Sequence, residues 1–216
     1  MDSRQPDDTR PLRATAMPSR SLADGFCAPA GELHSTLAGH RIVDAESLRS
    51  FLAAWLEQNI VRVDLPIIRW AYESAARNDA NGLIALDQHL STYPSQPGLR
   101  AASTRIGQQK LQGFAPLKGH TFLRRYHAAV ESGQATGHNA IVYGIYLFLF
   151  SIPLREGLLS YGYQTLKGFA EPASAAIRLD HRQTQSLIEQ LSANLTKQVE
   201  GSLTVKREPA SAVSNS

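Results

Sequence analysis

Seven histidines and one cysteine are the side chains of this sequence best suited to metal or nucleophilic chemistry. The histidines are His34, His40, His89, His120, His127, His138 and His181. His120 and His127 are two helical turns apart, about 10 Å along a helix axis, too far to chelate one ion. Cys27 has no second thiol for a disulfide or a thiolate zinc site, and reads as a small residue beside a turn. The phosphate-cradling patterns GxxxxGKS or GxxxxGKT and GxGxxG are absent, as are the HExxH helix and the GxSxG elbow. No Asp/Glu cluster on one helix face points to a carboxylate-bridged metal pair. His138 is set apart by its place. It follows Gly137 and begins an apolar run, where it either caps or contacts a neighbour or is an ordinary helix-start residue. Arg100 and Arg178 carry structural readings. Arg178 sits in Ser174-Ala-Ala-Ile-Arg178-Leu179, whose small residues allow close packing, and such an arginine is expected to tie down a nearby carbonyl or carboxylate. No acid–base or nucleophile pair can be named, so an enzyme is the least favoured class.

The elements that position these residues are expected to be helices. Leu48, Phe51, Leu52, Trp55, Leu56 and Ile60 recur on one face, with Asp44 placed as an N-cap. Leu65, Ile68, Tyr72 and Ala75 predict a second helix; Leu83, Leu86 and Leu90 a third; Phe122, Leu123, Tyr126 and Val130 another. Leu158, Leu159, Gly162, Leu166 and Phe169 follow Pro153, and Leu187, Ile188, Leu191 and Leu195 form the last, with Asp180 and Gln183 spaced as a capping box. Ile60-Val61-Arg62-Val63 alternates and is β-branched, so a short strand competes with helix there, limited to a sheet edge by Pro66. Ala140 to Phe150 is apolar nearly all round and must be covered on every side, as a central helix or in a subunit contact. The fold class is all-α: a single globular domain of seven to nine helices over residues 22–203. Polar, Ser- and Pro-rich tails at 1–21 and 204–216 are expected to be disordered.

Composition narrows the function. The net charge is +3, from 22 basic and 19 acidic residues. Lys and Arg are scattered, with Arg124-Arg125 the densest pair, so no nucleic-acid stripe is expected. The first twenty residues hold Asp2, Asp7 and Asp8 and no apolar core, unlike a secretory signal. The apolar run from Ala140 to Ile152 falls short of the ~20 residues that cross a bilayer, so no membrane association is expected. The lone thiol fits a reducing compartment, and the expected location is cytoplasmic.

Several segments, in order, resemble the urease accessory protein F (UreF) family. Gly25-Phe26 and Gly31, then Gly39-His-Arg-Ile, resemble its glycine-phenylalanine turn and following helix. Arg100-Ala-Ala-Ser103-Thr-Arg-Ile-Gly107-Gln-Gln-Lys-Leu111 resembles its Arg-x-x-Ser-x-x-x-Gly-x-x-x-Leu segment. Gly137-His138-Asn-Ala-Ile-Val-Tyr143-Gly144 resembles its histidine-led apolar helix. Ser174-Ala-Ala-Ile-Arg178-Leu179 and Gln185-Ser-Leu-Ile resemble its closing segments. The resemblance implies an all-α homodimer without catalytic chemistry of its own. It implies a chaperone that works with UreD (also called UreH) and the GTPase UreG to deliver nickel to apo-urease. Nickel is then handled through the partner complex, with no cofactor bound stably by this chain. Gly25, Phe26, Gly31, Arg100, Ser103, His138, Tyr143 and Arg178 are the interface residues it implies. The competing class is a helical small-ligand-binding or sensor domain, with the aromatic-rich helix at 140–150 lining a pocket.

Overall fold

The computed structural model of the chain describes residues 42–93, 97–114 and 119–205. Gly25, Phe26, Gly31 and Cys27 lie outside them, as do the expected tail at 1–21 and residues 206–216 of the other.

The described chain is all-α. It starts at α1 (Ala45–Trp55), whose N-terminus carries a capping box. The Asp44 carboxylate accepts the Ser47 N–H at 2.8 Å, and the Ser47 hydroxyl accepts the Asp44 N–H at 3.2 Å. Leu48, Leu52 and Trp55 are the buried stripe. The helix then widens into a π-helical turn over Leu56–Asp64 and passes directly into α2 (Leu65–Ala76). The short strand weighed for Ile60–Val63 is therefore replaced by helix, and the two helices expected here are one continuous rod. Pro66 supplies the reason. It has no N–H to give, and its ring would press on the carbonyl four residues back. With Leu65 N–H bonded to Ile60 O, five residues back, the widened turn brings the chain into Pro66 without breaking the rod.

Next come α3 (Ala80–Thr92), α4 (Pro97–Gly113), α5 (Thr121–Glu131) and α6 (Asn139–Leu149). Asp79 caps α3 by accepting the Gly82 N–H at 2.8 Å, and Asn78 Oδ1 accepts the Phe122 N–H at 3.0 Å, tying the start of α5 to the α2–α3 corner. The chain closes with α7 (Leu154–Ala176), α8 (His181–Ser192) and α9 (Leu195–Thr204). The capping box expected at Asp180 and Gln183 is present. Leu195 does not extend α8. It opens α9, which packs beside α7 with Leu195 against Gly162.

The helix over 139–149 is central. All its residues from Asn139 to Ile145, and Leu147, are buried, and it packs against α2 and α4 with α3 beside them. Gly144 permits the approach to α2, where a Cβ would lie 2.4 Å from the Ile68 carbonyl oxygen. The aromatic side chains of α6 are engaged in packing. Tyr143 lies against Tyr161, Phe148 meets Tyr72 and Phe122 edge-on, and Tyr146 lies against Phe150. Among the described residues no helix is long and apolar enough to cross a membrane.

Candidate functional site

The loop from Ser132 to His138 carries the polar centre of the molecule. It joins α5 to α6 and lies between α3 and α4. One carboxylate organises it. Asp87 on α3 is fully buried. Its oxygens accept the Tyr126 hydroxyl at 2.6 Å and three successive backbone N–H groups, from Thr136 at 2.5 Å, Gly137 at 3.0 Å and His138 at 3.1 Å. A carboxylate with this many donors is stable away from water, and each such bond is stronger than a neutral one. Burial and the adjacent Asp87 charge push the Tyr126 hydroxyl well above its usual range, so it stays a donor.

His138 is held in the same knot. Its ring is buried, and Nε2 lies 2.8 Å from the Ser91 hydroxyl. Ser91 Oγ also donates to the Asp87 carbonyl one turn earlier and lies 3.0 Å from the Thr136 hydroxyl. Burial lowers the imidazole below its ordinary value; Asp87 opposes that shift and Arg100 adds to it. Asp87, Ser91 and His138 are the residue types of a nucleophilic triad, but not its geometry. The Asp87 carboxylate binds the His138 backbone rather than its ring, and the serine hydroxyl is bound to its own helix. The arrangement fixes a loop; it does not activate an oxygen.

On the other side, α4 seals the loop. Gly107 faces the Gly137–Asn139 backbone so closely that a Cβ would lie 2.0 Å from the Gly137 carbonyl oxygen. Ser103 Oγ accepts the Asn139 N–H at 3.3 Å, and Gln108 donates to the Thr136 carbonyl at 3.0 Å. At the start of α4 the Arg100 guanidinium donates to the Tyr93 carbonyl at 2.5 Å. Arg100, Ser103 and Gly107 are thus drawn together with Gly137 and His138, although some thirty residues separate the two segments.

A file of polar groups leads from this locus into the core. The half-buried Lys110 ammonium donates to Asn139 Oδ1 at 3.2 Å, and burial pushes it down to about 8. The Asn139 amide in turn bonds the Tyr161 hydroxyl, which donates to Asp64 Oδ2 at 2.8 Å. Asp64, the last residue of the π turn, is pushed up to about 7 by burial, with the Tyr161 bond opposing.

Two expected residues lie elsewhere. Tyr143 is on α6 but donates to the Gly157 carbonyl at 3.2 Å, joining α6 to α7. Arg178 is exposed, and among the described residues its guanidinium ties down no neighbouring carbonyl or carboxylate, contrary to expectation. It is the left-handed residue (φ 60°) that ends α7, with its N–H on Ala175 O and the Leu179 N–H on Ser174 O. Sequence reasoning missed Asp87, Ser91, Lys110 and Asn139. Asp87 had left a signal: it stands on the apolar stripe of Leu83, Leu86 and Leu90, where a charge requires buried partners. Among the described residues, no group of three or more His, Cys, Asp or Glu is placed to hold a metal ion.

The profile of the UreF family matches residues 42–192, spanning both halves of this locus. The chain is 28% identical over 138 residues to the urease accessory protein UreF of Sporosarcina pasteurii, covering 64% of this chain and 68% of the relative. It is 25% identical over 157 residues to that of Actinobacillus pleuropneumoniae, covering 73% and 69%. To that of Arthrobacter sp. (strain FB24) it is 27% identical over 157 residues, covering 73% and 67%.

Proposed function

The chain belongs to the UreF family, a family of urease accessory proteins, and from that premise we propose that it is a maturation chaperone that scaffolds UreD and the GTPase UreG for nickel insertion into apo-urease. In this reading it acts in the cytoplasm as a homodimer and performs no bond-breaking step. Nickel is cargo, handled by the partner complex, and GTP chemistry belongs to UreG.

One observation carries the reading. Two of the segments that resemble the family, Arg100 to Gly107 and Gly137 to Asn139, meet at a single locus built by backbone contacts and a buried carboxylate. A scaffold needs a surface whose shape survives binding and release of its partners, because ordering a loop at each encounter weakens association. The Asp87 knot supplies that rigidity beneath α4 and the 132–138 loop.

The test is reconstitution. The full chain, mixed with its cognate UreD and UreG, should elute with them as one complex on size-exclusion chromatography. A folded chain that elutes alone from active partners would refute the proposal.

A further inference from the structure

The basic residues of this chain are scattered, but the acidic ones are not. Between Asp87 and Glu131 there is no Asp or Glu, while Arg100, Arg105, Lys110, Lys118, Arg124 and Arg125 fall inside that interval. Helix α4 lies wholly within it. Its inner edge, Ile106, Gly107 and Leu111, is buried; Ala101, Arg105, Gln108, Gln109 and Gln112 face outward. A concavity of about 690 Å³ runs along the outer edge, lined by these residues with Arg100 and Thr104. Elsewhere Arg49, Arg62, Arg69 and Arg155 are matched to carboxylates of the chain itself. Arg105 has no such match among the described residues.

We propose that the outer face of α4 docks an acidic polypeptide segment of a partner. Arg105, beside Arg100, receives its carboxylates, and Gln109 and Gln112 bond its backbone. The proposal rests on the accessory role argued above. The chemistry follows from the lining. Guanidinium groups match carboxylates in geometry as well as charge. Glutamine amides offer both a donor and acceptors, the complement of a peptide backbone. Among the described residues no carboxylate pairs with Arg105, and the Asp87 carboxylate beneath α4 is buried and held by four hydrogen-bond donors, so the positive potential of the exposed face steers an anionic partner toward it. Nucleic acid fits less well, because among the described residues the lining has no aromatic side chain on which a base would stack. The chain's own remaining segments are poor occupants by charge. Residues 1–41 balance Asp2, Asp7, Asp8, Asp24 and Glu32 against Arg4, Arg10, Arg13, Arg20 and Arg41. Residues 206–216 carry Lys206 and Arg207 against Glu208.

The experiment uses the full chain with a photo-crosslinking phenylalanine derivative at Gln109, mixed with purified cognate UreD, UreG and apo-urease. The expected product is a crosslink to an Asp/Glu-rich segment of one of them. Arg105→Glu should weaken that partner's binding by about tenfold or more at low salt and flatten its salt dependence, with the circular dichroism spectrum unchanged. If the complex forms but Gln109 captures no partner and Arg105→Glu binds as wild type, the docking surface is refuted while the accessory role stands. If no complex forms, both fall together. A crosslink to a second copy, to residues 1–41, or to an added DNA duplex would assign the face to another occupant and overturn the proposal.

Discussion

Asp87 Oδ2 accepts the backbone N–H of His138 at 3.1 Å, although 51 positions separate the two in sequence. Through that bond and its neighbours, α3 dictates the conformation of the loop that starts the central helix. Replacing Asp87 with Ala would strand several buried donors, each costing about 1–3 kcal/mol. The variant should lose about 3 kcal/mol or more in urea unfolding. A loss below about 1 kcal/mol would show that water satisfies the loop instead.

Gly107 provides a test of sign. On helix propensity alone, Gly107→Ala would add up to about 1 kcal/mol of stability. The clash with the Gly137 carbonyl predicts the reverse, a loss of about 1–3 kcal/mol. Gly201 on α9 is the control: a Cβ there meets nothing within 4 Å, so Gly201→Ala should stabilise by about 0.5–1 kcal/mol. Thermal melts of the two variants should therefore move in opposite directions.

Asp64 should make stability depend on pH in an unusual direction. Its carboxyl is held at about 7 in the folded chain, against an ordinary value of 3.8. The folded state thus binds this proton more tightly than the unfolded state. The stabilisation is complete below the ordinary value and is lost as the pH rises through about 7. Asp64→Asn keeps an acceptor for Tyr161 and removes the titration. Its stability relative to wild type should rise between about pH 5 and pH 8. A constant difference across that range would refute the assignment. His138 works in the opposite sense: its lowered value gives stability that is present above its ordinary 6.5 and lost as the pH falls.

Arg178 separates backbone from charge. A non-glycine residue at φ 60° carries strain of about 1 kcal/mol. Arg178→Gly should raise the melting temperature slightly and leave assembly with UreD and UreG intact. Stabilisation with loss of assembly would instead show that the guanidinium itself serves a partner contact.

Much of the fold was legible in the sequence because its signals are local. The Asp44 and Asp180 caps, the stripes of α1 to α3, and the all-round apolar α6 each follow from spacing within one element. At two places the local signals conflict. The β-branched run Ile60–Val63 looks strand-like until Pro66 is accommodated by a π turn. Leu195 continues the spacing of α8 but begins a new helix. The site was legible in part. Arg100, Ser103 and His138 stand out as residues, yet nothing in the linear chain says that they meet. Their meeting depends on Asp87 and Gly107, whose contacts with the 136–139 segment are to backbone groups and therefore leave no pattern of side chains to read.

The proposed role of this chain is the maturation of urease. The direct measurement is urease activity in a host carrying its cognate structural and accessory proteins but deleted for its own UreF, with nickel supplied. Expression of this chain should restore nickel content and activity to the apo-urease, and the Asp87→Ala chain should restore much less. If the wild-type chain is present, folded and bound to UreD and UreG, yet urease stays without nickel, the account is wrong.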